Sequence, residues 1–392
     1  MTPDRLARQG YSVAALRRLA RRELPRMLFD MVDGGAGDEH TLRRNEAALA
    51  EIELVPKVLA GAGRRDQSVE LFGVKLPSPV LIGPTGLAGL LWPHAELATA
   101  RAAARFGTIY ATSHASTATL EAIAAATPAP KWMQVFLYKD RGLTAEFARR
   151  AAAAGYVGLI LTVDNQVMAG RDRDVANGMS FPLRWTARNA LQFAIKPGWL
   201  WRMRETPSPT FVNYGARTRL GAFGPLMIEQ LDPDIGWRDV EALRGLWRGP
   251  LILKGLLHPE EARRAVDTGV DAVIVSNHGG RQLDGAIPAI AALPGMVEAV
   301  EGAIPVLVDG GFRRGVDVLK AIALGARAVL LGRPHLWGVA TAGEEGVLHV
   351  LQMFAKEIDR AMALGGWDDL GKLGREALRS GSAGTRFNPP WI

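Results

Sequence analysis

Eight short apolar runs, separated by alanine- and arginine-rich stretches, constrain the fold of this chain more than any other feature. They are "PVLIG" (79–83), "TIYATS" (108–113), "WMQVFL" (132–137), "GLILTV" (158–163), "LILK" (251–254), "AVIVS" (272–276), "IPVLVD" (304–309) and "AVLLG" (328–332). Runs of this length and β-branched content suit strands buried on both faces. The stretches "HAELATARAAARFG", "TAEFARRAAAAG", "PEEARRAVDTG" and "GVDVLKAIALGA" that follow strands have helical patterning, and each ends on a glycine placed to close a helix. Strands alternating with helices imply a parallel sheet. Eight such units in roughly 250 residues is the count of an α/β TIM (β/α)8 barrel. The alternative is a doubly wound open sheet, but no G-x-G-x-x-G follows the first strand. Ahead of the barrel, Ser12 is placed to cap a helix over "VAALRRLARREL" before Pro25, so an N-terminal helical extension is expected. Residues 1–392 are expected to form a single barrel domain.

Composition removes several chemistries. The 392 residues include no cysteine, which excludes disulfides, a thiolate nucleophile and cysteine-ligated metal. No metal site is expected. The apolar content of 48% is enough for a full core. The N-terminus lacks an apolar leader with a cleavage site and no run of 18 apolar residues occurs, so a cytoplasmic location is expected. A net charge of +7 permits anionic partners, but no nucleic-acid motif accompanies it.

One segment breaks the rhythm. A long loop, 175–230, separates the fourth strand from the fifth, and from Val175 to Arg204 it contains no Asp or Glu. Arg184, Arg188, Lys196, Arg202 and Arg204 interleave there with Trp185, Phe193, Trp199, Leu200 and Trp201. Aromatic rings among cations suit a peripheral membrane interface with anionic lipid. A lid over the site, with its tryptophans packed on the barrel or on a neighbouring subunit, is the other reading.

Barrels keep their sites at the C-terminal ends of the strands. Those ends carry Pro84, Thr85 and Gly86, then Ser113, Gln134, Thr162 with Asp164, Arg171, Lys254, Ser276 with His278 and Arg281, Asp309 with Gly311 and Arg313, and Gly332 with Arg333. "VDGGFRRG" (308–315) and "LGRP" (331–334) follow the seventh and eighth strands, where barrels bind phosphate, so a phosphorylated ligand is expected. Lys254 supplies a positive charge suited to an anionic ring or enolate. His278 is a base for neutral pH, and Arg281, three positions on, can grip a carboxylate in bidentate fashion.

"SNHGGRQLDG" (276–285), with "LPRMLFDMVDGGAGDEHTLRRN" (24–45) and the stretch on to about Gly365, resembles the FMN-dependent 2-hydroxy-acid oxidases and dehydrogenases. That family includes glycolate oxidase, respiratory lactate dehydrogenase and mandelate dehydrogenase. The resemblance implies FMN as cofactor, His278 as base on an (S)-2-hydroxy acid and flavin N5 as hydride acceptor. By the same resemblance, Asp164 steadies the imidazolium, Arg281 and Arg171 bind the carboxylate, and Lys254 lies beside flavin N1 and O2. Pro84, Thr85, Gly86, Ser113, Gln134, Thr162 and Ser276 line the flavin, with Asp309, Gly311, Arg313, Gly332 and Arg333 around its phosphate. A homo-oligomer is implied too, tetramers being common among relatives.

Four positions set the chain apart from the pattern of most members or of the oxidases. Met31 and Phe136 stand where most members carry tyrosines that meet the substrate; Tyr138 is the other candidate for the second, although "YKD" itself matches the family. Ala115 replaces the tryptophan of glycolate oxidases, which opens space for a larger side chain such as that of mandelate. Gly86, where oxidases have alanine, matches the mandelate dehydrogenase branch, which passes electrons to a membrane quinone. The alternatives are an oxidase using oxygen, a flavin oxidoreductase acting on a modified peptide, a non-redox FMN barrel and a non-catalytic binding barrel.

Overall fold

The computed structural model describes residues 1–179, 186–204, 206, 211–217 and 229–380. Its centre is a closed barrel of eight parallel strands. In chain order they are β1 Val80–Ile82, β2 Tyr110–Ser113, β3 Lys131–Phe136, β4 Gly158–Thr162, β5 Leu251–Leu256, β6 Ala272–Val275, β7 Val306–Asp309 and β8 Ala328–Leu331. Each pairs with the next, and β8 closes on β1 through Val329–Val80, Leu330–Leu81 and Leu331–Ile82. Every expected run contributes a strand. The bounds differ by up to two residues because hydrogen bonding, not apolar character, ends a strand: Ile304 and Pro305 precede β7, and β5 continues to Leu256.

Side-chain alternation divides each strand between two cores. Leu81, Ala111, Ile160, Ile252, Ile274, Leu307 and Leu330 point inward, while Val80, Ile82, Met133, Leu161, Val273, Val308 and Val329 meet the surrounding helices. A hairpin, Val69–Leu71 with Val74–Leu76, adds Leu71 and Leu76 to the inner cluster. The four glycines expected to close helices, Gly107, Gly155, Gly269 and Gly325, all have left-handed φ, between 75° and 102°.

Four helices precede the barrel: α1 Pro3–Gln9, α2 Val13–Glu23, α3 Arg26–Asp33 and α4 His40–Ala50. Ser12 caps α2, its Oγ accepting from the Ala15 N–H at 3.1 Å. The last two helices fix the β6 loop. Asn45 on α4 and Asn277 exchange amide hydrogen bonds of 2.9 and 2.8 Å. The Asp284 carboxylate accepts from the backbone N–H groups of His40 and Thr41, which start α4.

Two short helices occupy part of the long loop, Ala187–Ala194 and Pro197–Met203. They dock on the N-terminal extension: the Met27 N–H donates to Gln192, Lys196 to the Arg22 carbonyl, and Arg202 pairs with Glu23 at 3.0 Å. Trp199 donates to the Leu90 carbonyl at 3.1 Å and packs against Phe193. Trp201 is 66% exposed, with Leu191, Ile195 and Leu200 exposed as well. The run of tryptophans is therefore split, because positions i and i+2 of a helix face opposite sides. Arg184 and Trp185 lie outside the described residues. Among the described residues no helix is long and apolar enough to cross a membrane.

Candidate active site

A cavity of about 300 Å³ opens at the C-terminal ends of the strands. Its wall includes Pro84, Thr85 and Gly86 after β1, Ser113 at the end of β2 with Ala115 just beyond it, and Gln134 and Phe136 from β3. Thr162 and Arg171 come from β4 and its loop, Lys254 from β5, and His278 and Arg281 from the β6 loop. Asp309, Gly311 and Arg313 follow β7, Gly332 and Arg333 follow β8, and Met31 is contributed by α3.

The β6 loop is held in an unusual conformation. His278, Gly279 and Gly280 have consecutive φ values of 58°, 65° and 73°. A Cβ at Gly280 would lie 2.5 Å from the Leu42 backbone nitrogen, so this residue must be glycine for the loop to rest on α4. The left-handed histidine is a strained residue maintained by its surroundings. Its backbone N–H donates to Ser276 Oγ at 3.0 Å, and its Nδ1 meets Asp164 Oδ1 at 2.9 Å. Burial lowers the His278 pKa below its ordinary value; Asp164 opposes that and Lys254 adds to it. For Asp164 burial acts upward, but His278 and Lys254 outweigh it and hold the carboxyl low. The imidazole is thus neutral at neutral pH, its Nδ1–H directed at a carboxylate and its Nε2 free to accept a proton.

Lys254 donates to Ser276 Oγ at 2.9 Å and pairs with Asp309 at 3.1 Å. Burial lowers its pKa, but Asp309 and Asp164 more than reverse this, so the ammonium persists. Four guanidiniums, Arg171, Arg281, Arg313 and Arg333, complete the wall. Burial, then Arg171 and Arg333 beside it, pushes Arg281 well below its usual value, and burial brings Arg333 down to about 10. Arg281 donates to the Met31 and Gly34 carbonyls, and Arg333 to those of Val32, Gly34 and Gly279. Cations at the C-terminus of a helix are favoured by its dipole. Carbonyl dipoles do not neutralise them, however, and a concentration of buried cations fits anionic ligands. Arg313, also lowered by burial, pairs with Glu46 at 2.8 Å and stacks 5.1 Å from the Trp337 ring.

Two expected residues stand outside this cavity wall. Ser276 lies beneath it, its Oγ taken by Lys254 and the His278 N–H, and Asp164 lies behind His278. Phe136 lines the cavity whereas Tyr138 is fully buried, its hydroxyl 2.5 Å from that of Tyr214. Met31 and Phe136 present no hydroxyl to the cavity. His114, which sequence reasoning passed over, also lines it. Its Nδ1 lies 3.0 Å from Gln134 Oε1, its ring meets Phe136 edge-on at 4.4 Å, and burial lowers its pKa to about 4. Asn165, Met168 and Phe211 complete the mouth. His114 and Asn165 follow strand-end residues and could have been found from position, but Phe211, in the long loop, has no local signal.

A family model for FMN-dependent dehydrogenases matches residues 20–380. The chain belongs to the FMN-dependent dehydrogenase family. It is 42% identical over 372 residues to an L-lactate dehydrogenase of Caulobacter sp. (strain K31), covering 94% of this chain and 98% of that one. A peroxisomal (S)-2-hydroxy-acid oxidase of Oryza sativa subsp. japonica is 42% identical over 364 residues, covering 93% and 94%. Among solved structures, a monotopic membrane (S)-mandelate dehydrogenase superposes with TM-score 0.91 at 38% identity, covering 94% of this chain and 99% of that one. A soluble mutant of the membrane-associated (S)-mandelate dehydrogenase from Pseudomonas putida gives 0.83 at 37%, with the same coverage. The chain is therefore an FMN-dependent 2-hydroxy-acid oxidoreductase, and its barrel is that of the family. The cavity suits FMN on its own chemistry: Lys254 for the anionic ring, and Arg313, Arg333 and the Gly310–Gly311 turn for a phosphate.

Proposed function

We propose that the enzyme oxidises a bulky, mandelate-like (S)-2-hydroxy acid to the 2-oxo acid, with His278 as the base. The observation that carries the reading is the 2.9 Å His278–Asp164 contact at the edge of a cavity that Arg281 and Arg171 also line. His278 Nε2 takes the hydroxyl proton, and Asp164 keeps the ring in the Nδ1–H tautomer and stabilises the imidazolium. FMN, when bound, supplies the acceptor for the electrons of the Cα–H bond. Pro84, Thr85, Gly86, Ser113, Gln134 and Thr162 would hold its ring, and Asp309, Gly311, Arg313, Gly332 and Arg333 its ribityl phosphate, all of them lining the cavity.

Arg281 and Arg171 grip the carboxylate without help from a tyrosine. Burial raises Asp174, which lies 3.6 Å from Arg171, and Arg171 Nε is buried without a partner. A carboxylate arriving between the two guanidiniums relieves their mutual repulsion. The substrate side chain then meets Met31, Ala115 and Phe136, a wall that favours an aryl group over a methyl.

A quinone is the proposed acceptor. In support, Gly86 faces Ala115, a Cβ at position 86 would lie 3.0 Å from the Ala115 Cβ, and Leu191, Ile195, Leu200 and Trp201 are exposed in a segment that also carries Arg188 and Lys196. That segment is assigned to the inner face of the cell membrane, on a single barrel domain that assembles as a homo-oligomer. Steady-state assays with (S)-mandelate and (S)-lactate, using a short-chain quinone or air, test this. A kcat/KM at least tenfold higher for mandelate and slow oxygen turnover are expected; a preference for lactate or fast oxygen use would refute it.

A further inference from the structure

A second cavity, of about 350 Å³, lies on the other side of the His278–Asp164 pair. Asp164 lines this cavity and not the flavin cavity, whereas His278 lines the flavin cavity and not this one. The pair therefore forms part of the partition between two chambers. The floor is made by Asp164, Leu253, Gly255 and Ser276 from the strand ends, and the walls by Ile235, Trp237, Val240 and Leu256. Its mouth carries Gln166, Glu261 and Leu283, all exposed. Among the described residues, the only charged ones in the lining are the carboxylates Asp164 and Glu261, with no Lys, Arg or His.

Asp164 has capacity to spare. Its Oδ1 accepts from His278, and its Oδ2 is buried with no hydrogen-bond partner. A carboxylate oxygen left unpaired away from water is costly and is normally satisfied by something. The volume falls in the range of small-molecule pockets, and an apolar wall with a few convergent polar groups is their usual make-up. The sign of the charge selects the ligand, since an apolar body carrying a cationic donor matches both the wall and the two carboxylates.

We infer that this chamber is a second small-molecule site, for a primary ammonium ion with one ring or a short alkyl body, and that its occupant controls the reaction through Asp164. The control rests on the reading of His278 as the base. An ammonium beside Asp164 weakens the carboxylate's hold on the imidazolium, so chemistry slows while hydroxy-acid binding in the other chamber is untouched.

The test uses flavin-loaded enzyme and phenethylammonium chloride as the probe, with neutral 2-phenylethanol as control. Calorimetry is expected to give saturable binding with a dissociation constant of about 1 mM or tighter. The alcohol should bind at least about tenfold more weakly. Two variants outside the proposed machinery locate the site. Glu261→Lys reverses the mouth charge. Gly236→Phe places a ring where a Cβ has no neighbour within 4 Å and the backbone is extended at φ −142°. Each is expected to weaken binding about tenfold or more and to leave flavin content and uninhibited turnover unchanged. Inhibition should lower kcat for the hydroxy acid without raising KM. Absence of saturable binding, equal binding of the alcohol, indifference to both variants, or competition with the hydroxy acid would overturn the site. Saturable binding sensitive to both variants but with no effect on kcat would leave the site standing and overturn its link to His278.

Discussion

Replacing Asp164 by asparagine isolates the electrostatic part of the proposed mechanism, since Asp164 does not line the substrate cavity. Its Oδ1 stands 2.9 Å from His278 Nδ1. A unit charge pair about 4 Å apart at an effective dielectric constant of 20 interacts by about 4 kcal/mol. The asparagine carbonyl still accepts the Nδ1–H bond, which retains about 1 kcal/mol. The remaining loss, about 3 kcal/mol, falls on the state in which the imidazole is protonated and slows proton removal by roughly 10²- to 10³-fold. Anaerobic rapid mixing with (S)-mandelate measures this directly as the rate of flavin bleaching. Flavin content and KM should change by less than about threefold, as expected when only a transition-state interaction is lost. The acid limb of the pH profile should also move down, because the carboxylate raises the His278 pKa in the parent enzyme. Bleaching within about threefold of the parent, or an unmoved acid limb, would refute the role assigned to Asp164.

Other expectations follow from the same geometry. A Cβ at Gly255, where φ is 110°, would lie 2.7 Å from Asp164 Cβ and Cγ; Gly255→Ala should therefore displace the carboxylate and reduce kcat about tenfold or more at normal flavin content, measured by steady-state assay. Met31→Tyr restores a donor near the Arg281 side chain and should tighten small 2-hydroxy acids about tenfold, a hydrogen bond to a charged group being worth roughly 1.5 to 3 kcal/mol; substrate titrations read it. Burial holds the pKa of both His114 and His335 at about 4, against an ordinary 6.5. Their neutral forms are favoured by folding, so this contribution is complete above pH 6.5 and is lost as pH falls from 6.5 towards 4, which thermal melts across that range should show. Changing Leu191, Ile195, Leu200 and Trp201 together to serine should reduce binding to anionic vesicles about tenfold or more and leave turnover with a soluble acceptor intact; sedimentation with vesicles tests this.

The barrel was legible in the sequence because strands buried on both faces read as uninterrupted apolar runs and glycines mark the ends of the intervening helices. The cavity-lining residues followed from that reading, since functional groups collect where parallel strands end. Position alone did not separate lining from support. Ser276 stands two residues before His278 in the chain, yet its hydroxyl turns beneath the loop to bind Lys254. The unpaired Oδ2 of Asp164 and the chamber behind it are properties of packing between β4, β5 and the helices after them, and leave no local pattern. Trp199 and Trp201 looked alike as sequence, but one is anchored to Leu90 and the other is exposed. Phe211 reaches the mouth from a loop whose path no periodicity specifies.

The most direct test compares the parent and His278→Gln, both loaded with FMN, mixed anaerobically with (S)-mandelate while flavin absorbance is followed. The parent should bleach within seconds. The variant should retain its oxidised flavin spectrum and bleach at least about 10³-fold more slowly, because glutamine fills the position without accepting a proton. Bleaching of the variant at a rate close to the parent's would contradict the assignment of His278 as the base.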